Sequence, residues 1–141
     1  MNVTISDAFD AEVFAAVARV WAATGVGNPA RGDSLESVQA TLARGGKLFT
    51  VRAGEEVAGV CWLTDDGRRL YLHHMAVDTR HQGKGHSRLL MDAALAYARE
   101  CRLQMKLEVH KDNERARRLY LACGFVPLTG YEPFIRRAWE E

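Results

Sequence analysis

At 141 residues, 48% hydrophobic and 26% charged, the chain fits one globular domain whose core needs no disulfide or metal staple. Its net charge of +1 excludes a uniform field that would draw it to nucleic acid or to an anionic membrane. Three widely spaced cysteines, no leader pattern at the N-terminus and no window of ~20 apolar residues lead us to expect a cytoplasmic protein.

In chain order, Val3–Ile5 alternates as a short strand does. Asp10 is placed to cap a helix in which Val13, Phe14, Val17, Val20 and Trp21 recur at helical spacing. Gly25–Asp33 holds three glycines, Asn28 and Pro29, and reads as a loop. Ser34 or Asp33 then caps a second helix through Val38 and Leu42, which stops at Gly45 and Gly46. Lys47–Arg52, Val57–Thr64 and Leu70–Val77 are β-type segments, punctuated by Gly54 and by the hairpin turn Asp65-Asp66-Gly67. A long helix follows Gly85, with Leu89, Leu90, Ala93, Ala94 and Tyr97 on its apolar face. Met105–His110 reads as a strand and Asn113–Cys123 as a helix capped by Asn113. Phe125–Leu128 and Tyr131–Trp139 read as closing β-segments. No repeat or linker interrupts this order, so a single domain over residues 1–141 is expected. Its class is α/β: a mixed central sheet flanked by about four helices.

The first chemical signal is Gln82-Gly83-Lys84-Gly85-His86-Ser87, between a strand and a helix. Glycines there let the backbone approach a ligand, and the helix start adds unsatisfied N–H groups and a positive dipole end. Together these favour an anion, most naturally a phosphate. The spacing matches neither the P-loop nor the dinucleotide fingerprint. The wider stretch Met75-Ala76-Val77-Asp78-Thr79-Arg80-His81-Gln82-Gly83-Lys84-Gly85, followed by Leu89 and Leu90, resembles the central motif of the GNAT superfamily of N-acetyltransferases. Thr79 stands where that family usually has proline, His86 where it has an aliphatic residue, and Ser87 where it has glycine or alanine.

A second stretch resembles the other hallmark of the same superfamily. It is Leu107-Glu108-Val109, followed by Asn113, Ala116, Leu119, Tyr120, Gly124 and Phe125 at the family spacing. The two motifs cover roughly the C-terminal half of the chain; the first half matches only in element order. The resemblance implies acetyl-CoA as co-substrate, without a metal, and a sheet whose fourth and fifth strands splay apart. It implies that Met75, Ala76 and Val77 present backbone to the cofactor, one of their N–H groups meeting the thioester carbonyl. Gln82, Gly83, Lys84, Gly85, His86, Ser87 and Arg88 would hold the pyrophosphate, and Asn113 the pantetheine arm. Tyr120 would protonate the leaving thiolate. The family usually has glycine where this chain has Arg102, and a left-handed arginine there would cost on the order of 1 kcal/mol.

An amine acceptor arrives protonated and needs a base. Glu108 interrupts an apolar strand and matches a glutamate that ribosomal-protein alanine acetyltransferases use as base. His73 and His74 are the alternatives, and in a regular strand only one of them can face the site. The histidines and cysteines show no zinc pattern, and Cys61, Cys101 and Cys123 read as inert fillers. Arg80, Lys84, Arg88, Arg115, Arg117 and Arg118 form a basic set, read as a solvated face, with one or two near the 3′-phosphate as the sharper reading.

The expected activity is acetyl transfer to a primary amine of a small molecule, a protein N-terminus or a lysine, by a monomer or homodimer. The alternative is a catalytically silent CoA-binding module. A small RNA adaptor is disfavoured by the near-neutral charge. Residues Trp21–Leu35 and Tyr131–Arg137 would shape the acceptor pocket.

Overall fold

The computed structural model describes residues 2–139, and their contacts fall into two units, Met1–Glu108 and Val109–Glu141, each taken here by itself.

The first unit carries strands β1 (Val3–Ser6), β2 (Lys47–Ala53), β3 (Glu56–Asp65), β4 (Arg69–Val77) and β5 (Gln104–Leu107). Its helices are α1 (Ala11–Thr24), α2 (Leu35–Leu42) and α3 (His86–Cys101). The strands lie in the order β1-β2-β3-β4-β5, antiparallel except for the parallel pair β4–β5. This is the mixed sheet expected from the element order.

The helix starts are set by single side chains. Asp10 accepts from the Val13 N–H and Ser34 from the Ser37 N–H, satisfying donors that the first turn leaves open. Gly25 ends α1 at φ 75°. Arg102 ends α3 at φ 57°, so the left-handed arginine is present and its cost is borne locally.

One face of the sheet is covered by α1 and α2. There Val13, Val17, Val20, Trp21 and Val38 pack with Leu48, Val60, Trp62 and Ala76. On α3, Leu90, Met91, Ala94 and Ala98 are buried, and Cys61 lies 3.9 Å from the Leu90 carbonyl. Burial pushes the Cys61 thiol up to about 12, which leaves it an unreactive filler at neutral pH.

The second unit holds α4 (Glu114–Ala122), capped by Asn113, whose side-chain oxygen accepts from the Ala116 N–H at 3.1 Å. The expected strands at Phe125–Leu128 and Tyr131–Trp139 are absent: residues 125–139 form neither helix nor strand. Their alternating apolar residues remain largely exposed, Phe134 at 91% and Tyr131 at 80%. Alternation marks a β-segment only when a neighbouring strand supplies its ladder, and none is paired with it among the described residues.

Candidate active site

β4 is paired along both edges only at its start. It meets β5 from Arg69↔Gln104 to Leu72↔Leu107, and β5 ends there. From His73 to Val77 no strand pairs with that edge among the described residues. β5 stops earlier than the sequence pattern suggests, so Glu108 follows the strand rather than interrupting it, and it is exposed. On the other edge the Asp78 N–H donates to the Ala58 carbonyl at 2.8 Å. Strand alternation therefore turns the Val77 N–H toward the open edge. The Gln82 side-chain amide donates to the Val77 carbonyl at 3.0 Å and ties the glycine loop to the strand end.

The loop itself is prepared for an anion. The Asp78 carboxylate accepts from the Arg80 N–H at 3.1 Å and starts a 3₁₀ turn at Thr79–His81. Gly83 and Gly85 stand at φ 79° and 83°, a region closed to most side chains. Gly85 is the N-cap of α3 and supplies no capping side chain, so the first N–H groups of this long helix are left for a ligand. The space where a side chain at Gly85 would begin is open to at least 4 Å. Open strand edge, glycine loop and uncapped helix start together fit an extended ligand with a phosphate group.

His86 is buried at 4% exposure with its ring 6.1 Å from that of His81, and neither of its ring nitrogens finds a hydrogen bond among the described residues. Only its backbone N–H remains for an anion. Lys84 is exposed, and Arg88 pairs with Asp92 one turn on. Arg80 pairs with Glu56 and Asp78. Those residues line a separate cavity of about 630 Å³ that includes neither the open edge of β4 nor the histidines.

The histidine pair departs from the regular-strand expectation. The β3–β4 register shifts between Val60↔Ala76 and Trp62↔His73, so β4 carries an extra residue, and His74 sits at φ 49°. The bulge places both imidazoles on the face covered by α1, their centroids 6.2 Å apart. His73 stacks on Tyr71 and lies tilted to Trp62; His74 lies edge-on to Trp21. A non-glycine residue in this conformation costs on the order of 1–3 kcal/mol and persists only where its surroundings hold it. Here the Trp21 indole N–H donates to the His74 carbonyl at 3.1 Å.

The His73 Nε2 lies 2.8 Å from the Thr64 hydroxyl, and the His74 Nε2 lies 3.0 Å from the Asp33 carboxylate. Asp33 was a candidate cap for α2, but Ser34 performs that role, and Asp33 also accepts the Asn28 N–H. Trp21, Thr64 and Asp33 are thus members of this cluster that spacing did not single out. No group of three or more His, Cys, Asp or Glu residues among the described ones is arranged to hold a metal ion.

Burial lowers the pKa of His73 from 6.5, reinforced by His74 and opposed by Asp33 and Glu108. Burial also lowers that of His86, reinforced by His81 and Lys84. Below about pH 6.5 the unfolded chain takes up protons that the folded one refuses, so stability falls as pH drops through that value and is fully present above it. The urea midpoint should therefore decline between about pH 7 and pH 5.5. A midpoint that holds or rises across that range contradicts the assignment.

In the second unit, Asn113 uses its side-chain oxygen on the α4 cap and keeps its amide NH₂ for other contacts. Tyr120 is half-buried, with its ring 5.9 Å from that of Phe125.

The β4 edge thus loses its partner strand after Leu72 and runs into a glycine-lined helix start. The sequence matches the Acetyltransferase (GNAT) family over residues 15–125, and the chain belongs to that family. Among solved structures it is similar to an acetyltransferase from Streptococcus agalactiae 2603, at 16% identity and a TM-score of 0.78, covering 99% of this chain and 92% of that one. The PaiA N-acetyltransferase of Thermoplasma acidophilum, in complex with coenzyme A, is similar at 16% identity and a TM-score of 0.70, over 89% and 91% of the chains. So is an aminoglycoside acetyltransferase from an uncultured soil metagenomic sample, at 16% identity and a TM-score of 0.70, over 99% and 95%. At these identities the likeness is one of fold. No curated sequence matches the chain. No helix among the described residues is long and apolar enough to cross a membrane.

Proposed function

We propose that this protein transfers an acetyl group from acetyl-CoA directly to a primary amine of a small molecule or a protein. The observation that carries the reading is the open β4 edge with the Val77 N–H turned toward it, ending in the glycine loop and uncapped start of α3. The coenzyme A complex of the Thermoplasma acidophilum structure and the aminoglycoside acetyltransferase lend it support.

When bound, acetyl-CoA supplies an activated thioester. The chain's own residues do the rest. Gln82, Gly83, Lys84, Gly85 and the N–H groups of His86, Ser87 and Arg88 bind the pyrophosphate. The backbone of Met75, Ala76 and Val77 lines the pantetheine side, with the Val77 N–H donating to the carbonyl oxygen as it gains charge. Asn113 offers its amide to the same arm, and Tyr120 gives its hydroxyl proton to the departing sulfur. Glu108, beyond the end of β5, and the β4 histidines are the candidate bases.

The test is a calorimetric titration with acetyl-CoA, using NAD as control, followed by a panel of amines. Binding without turnover toward any amine would leave only a CoA-binding module. Tyr120→Phe should lower kcat by about 10²-fold with acetyl-CoA affinity unchanged; unchanged turnover removes the acid assignment.

A further inference from the structure

The loop between α1 and α2 reaches across to β4 and singles out one base. Asp33 is buried and uses both carboxylate oxygens: one takes the Asn28 N–H and the other lies 3.0 Å from the His74 Nε2. His74 is fixed from three further sides, by the bulge, by the Trp21 indole on its carbonyl and by the edge-on Trp21 ring. Its side chain is still 29% exposed, and Nδ1 takes no hydrogen bond among the described residues. It stands one residue past His73, where β4 loses β5.

We infer that His74 is the proton acceptor for the incoming amine and that Asp33 is its positioning residue. This assignment rests on the acetyl-transfer reading above and deepens it. A carboxylate only accepts, so Nε2 carries the hydrogen and Nδ1 presents its lone pair. The competing groups are less well set. Glu108 lies beyond the last paired residue of β5 and is exposed, so no ladder holds it. His73 is held by the Thr64 hydroxyl at 2.8 Å, and burial lowers its pKa.

The step balances. The His74 Nδ1 takes one proton from the ammonium form of the acceptor. The freed nitrogen pair forms the C–N bond to the acetyl carbon, and the C–S bond breaks with its electron pair going to sulfur. That sulfur gains one proton and the new amide nitrogen loses its second, so one proton is left over, the one on His74. The imidazolium returns its proton to water.

Asp33→Asn separates positioning from packing. The Asn28 N–H can only donate, so it claims the single amide oxygen and turns the NH₂ toward His74. Nε2 must then accept, and the hydrogen moves to Nδ1. Nitrogen-15 NMR of histidine-labelled protein should show the Nε2–H tautomer at His74 in the wild type and the Nδ1–H tautomer in Asp33→Asn. In the same variant kcat should fall by about 10³-fold, with the KM for acetyl-CoA within about two-fold. His74→Gln should lose as much, the double variant Asp33→Asn/His74→Gln no more, and Glu108→Gln less than about ten-fold. A wild-type His74 protonated on Nδ1, or an Asp33→Asn protein with full kcat, overturns the assignment while acetyl transfer stands. A wild type that binds no acetyl-CoA in the calorimeter defeats the acetyl-transfer reading itself, and the assignment with it.

Discussion

Gly85→Val is expected to weaken acetyl-CoA binding by about 100-fold or more while leaving the fold cooperative. The wild-type glycine sits at φ 83° as the N-cap of α3, with open space where a side chain would project. A β-branched residue meets two penalties there. The left-handed backbone costs roughly 1–2 kcal/mol, which the domain survives but the loop geometry does not. The side chain also occupies the approach to the helix-start N–H groups, and each charge-assisted hydrogen bond lost to a phosphate is worth ~1.5–3 kcal/mol, about ten- to a hundred-fold in affinity. Calorimetric titration of both proteins with acetyl-CoA decides the matter. Equal affinity would mean that the glycines form only a turn, and the assignment of the loop to the pyrophosphate would fall.

Trp21→Ala is expected to destabilise the protein by about 3–5 kcal/mol, the range for emptying a large aromatic from a core. Trp21 is 4% exposed and sits at the centre of an aromatic group, its ring 6.2 Å from Phe14, 6.0 Å from Trp62 and 5.4 Å from His74. Its loss also leaves the His74 carbonyl without its indole donor, at a position where the backbone is already strained. The midpoint of thermal unfolding should drop by on the order of 10 °C. Trp21→Phe, which keeps most of the ring but not the N–H, should recover most of the stability. If the His74 bulge depends on that hydrogen bond, Trp21→Phe will still depress turnover; full activity in Trp21→Phe means the bulge is held by packing alone.

The elements that local chemistry governs were legible in the chain. Asp10, Ser34 and Asn113 cap their helices because a side-chain oxygen reaches an N–H two or three residues on, a contact written entirely within a short stretch. The Gln82–Ser87 loop could be read for the same reason: glycine spacing next to a helix start sets the backbone without help from elsewhere. The strands β2 to β4 fell within one residue or two of their pattern, since alternation and turn residues mark them directly.

The surroundings of the β4 histidines were not legible, because their geometry is set by pairing between distant segments. One extra residue in the β3–β4 register turned two histidines expected on opposite faces onto the same one. Asp33, a plausible helix cap by position, gave that role to Ser34 and joined His74, 41 residues away. β5 ended at Leu107 and freed Glu108 from its strand, and Phe125–Trp139 kept its alternation without a partner. The sequence by itself therefore determined the helices, their caps and the glycine loop, whose hydrogen bonds close within a few residues. Only the tertiary structure decided that Asp33 meets His74, since a strand's register and a long-range hydrogen bond depend on what lies across from them.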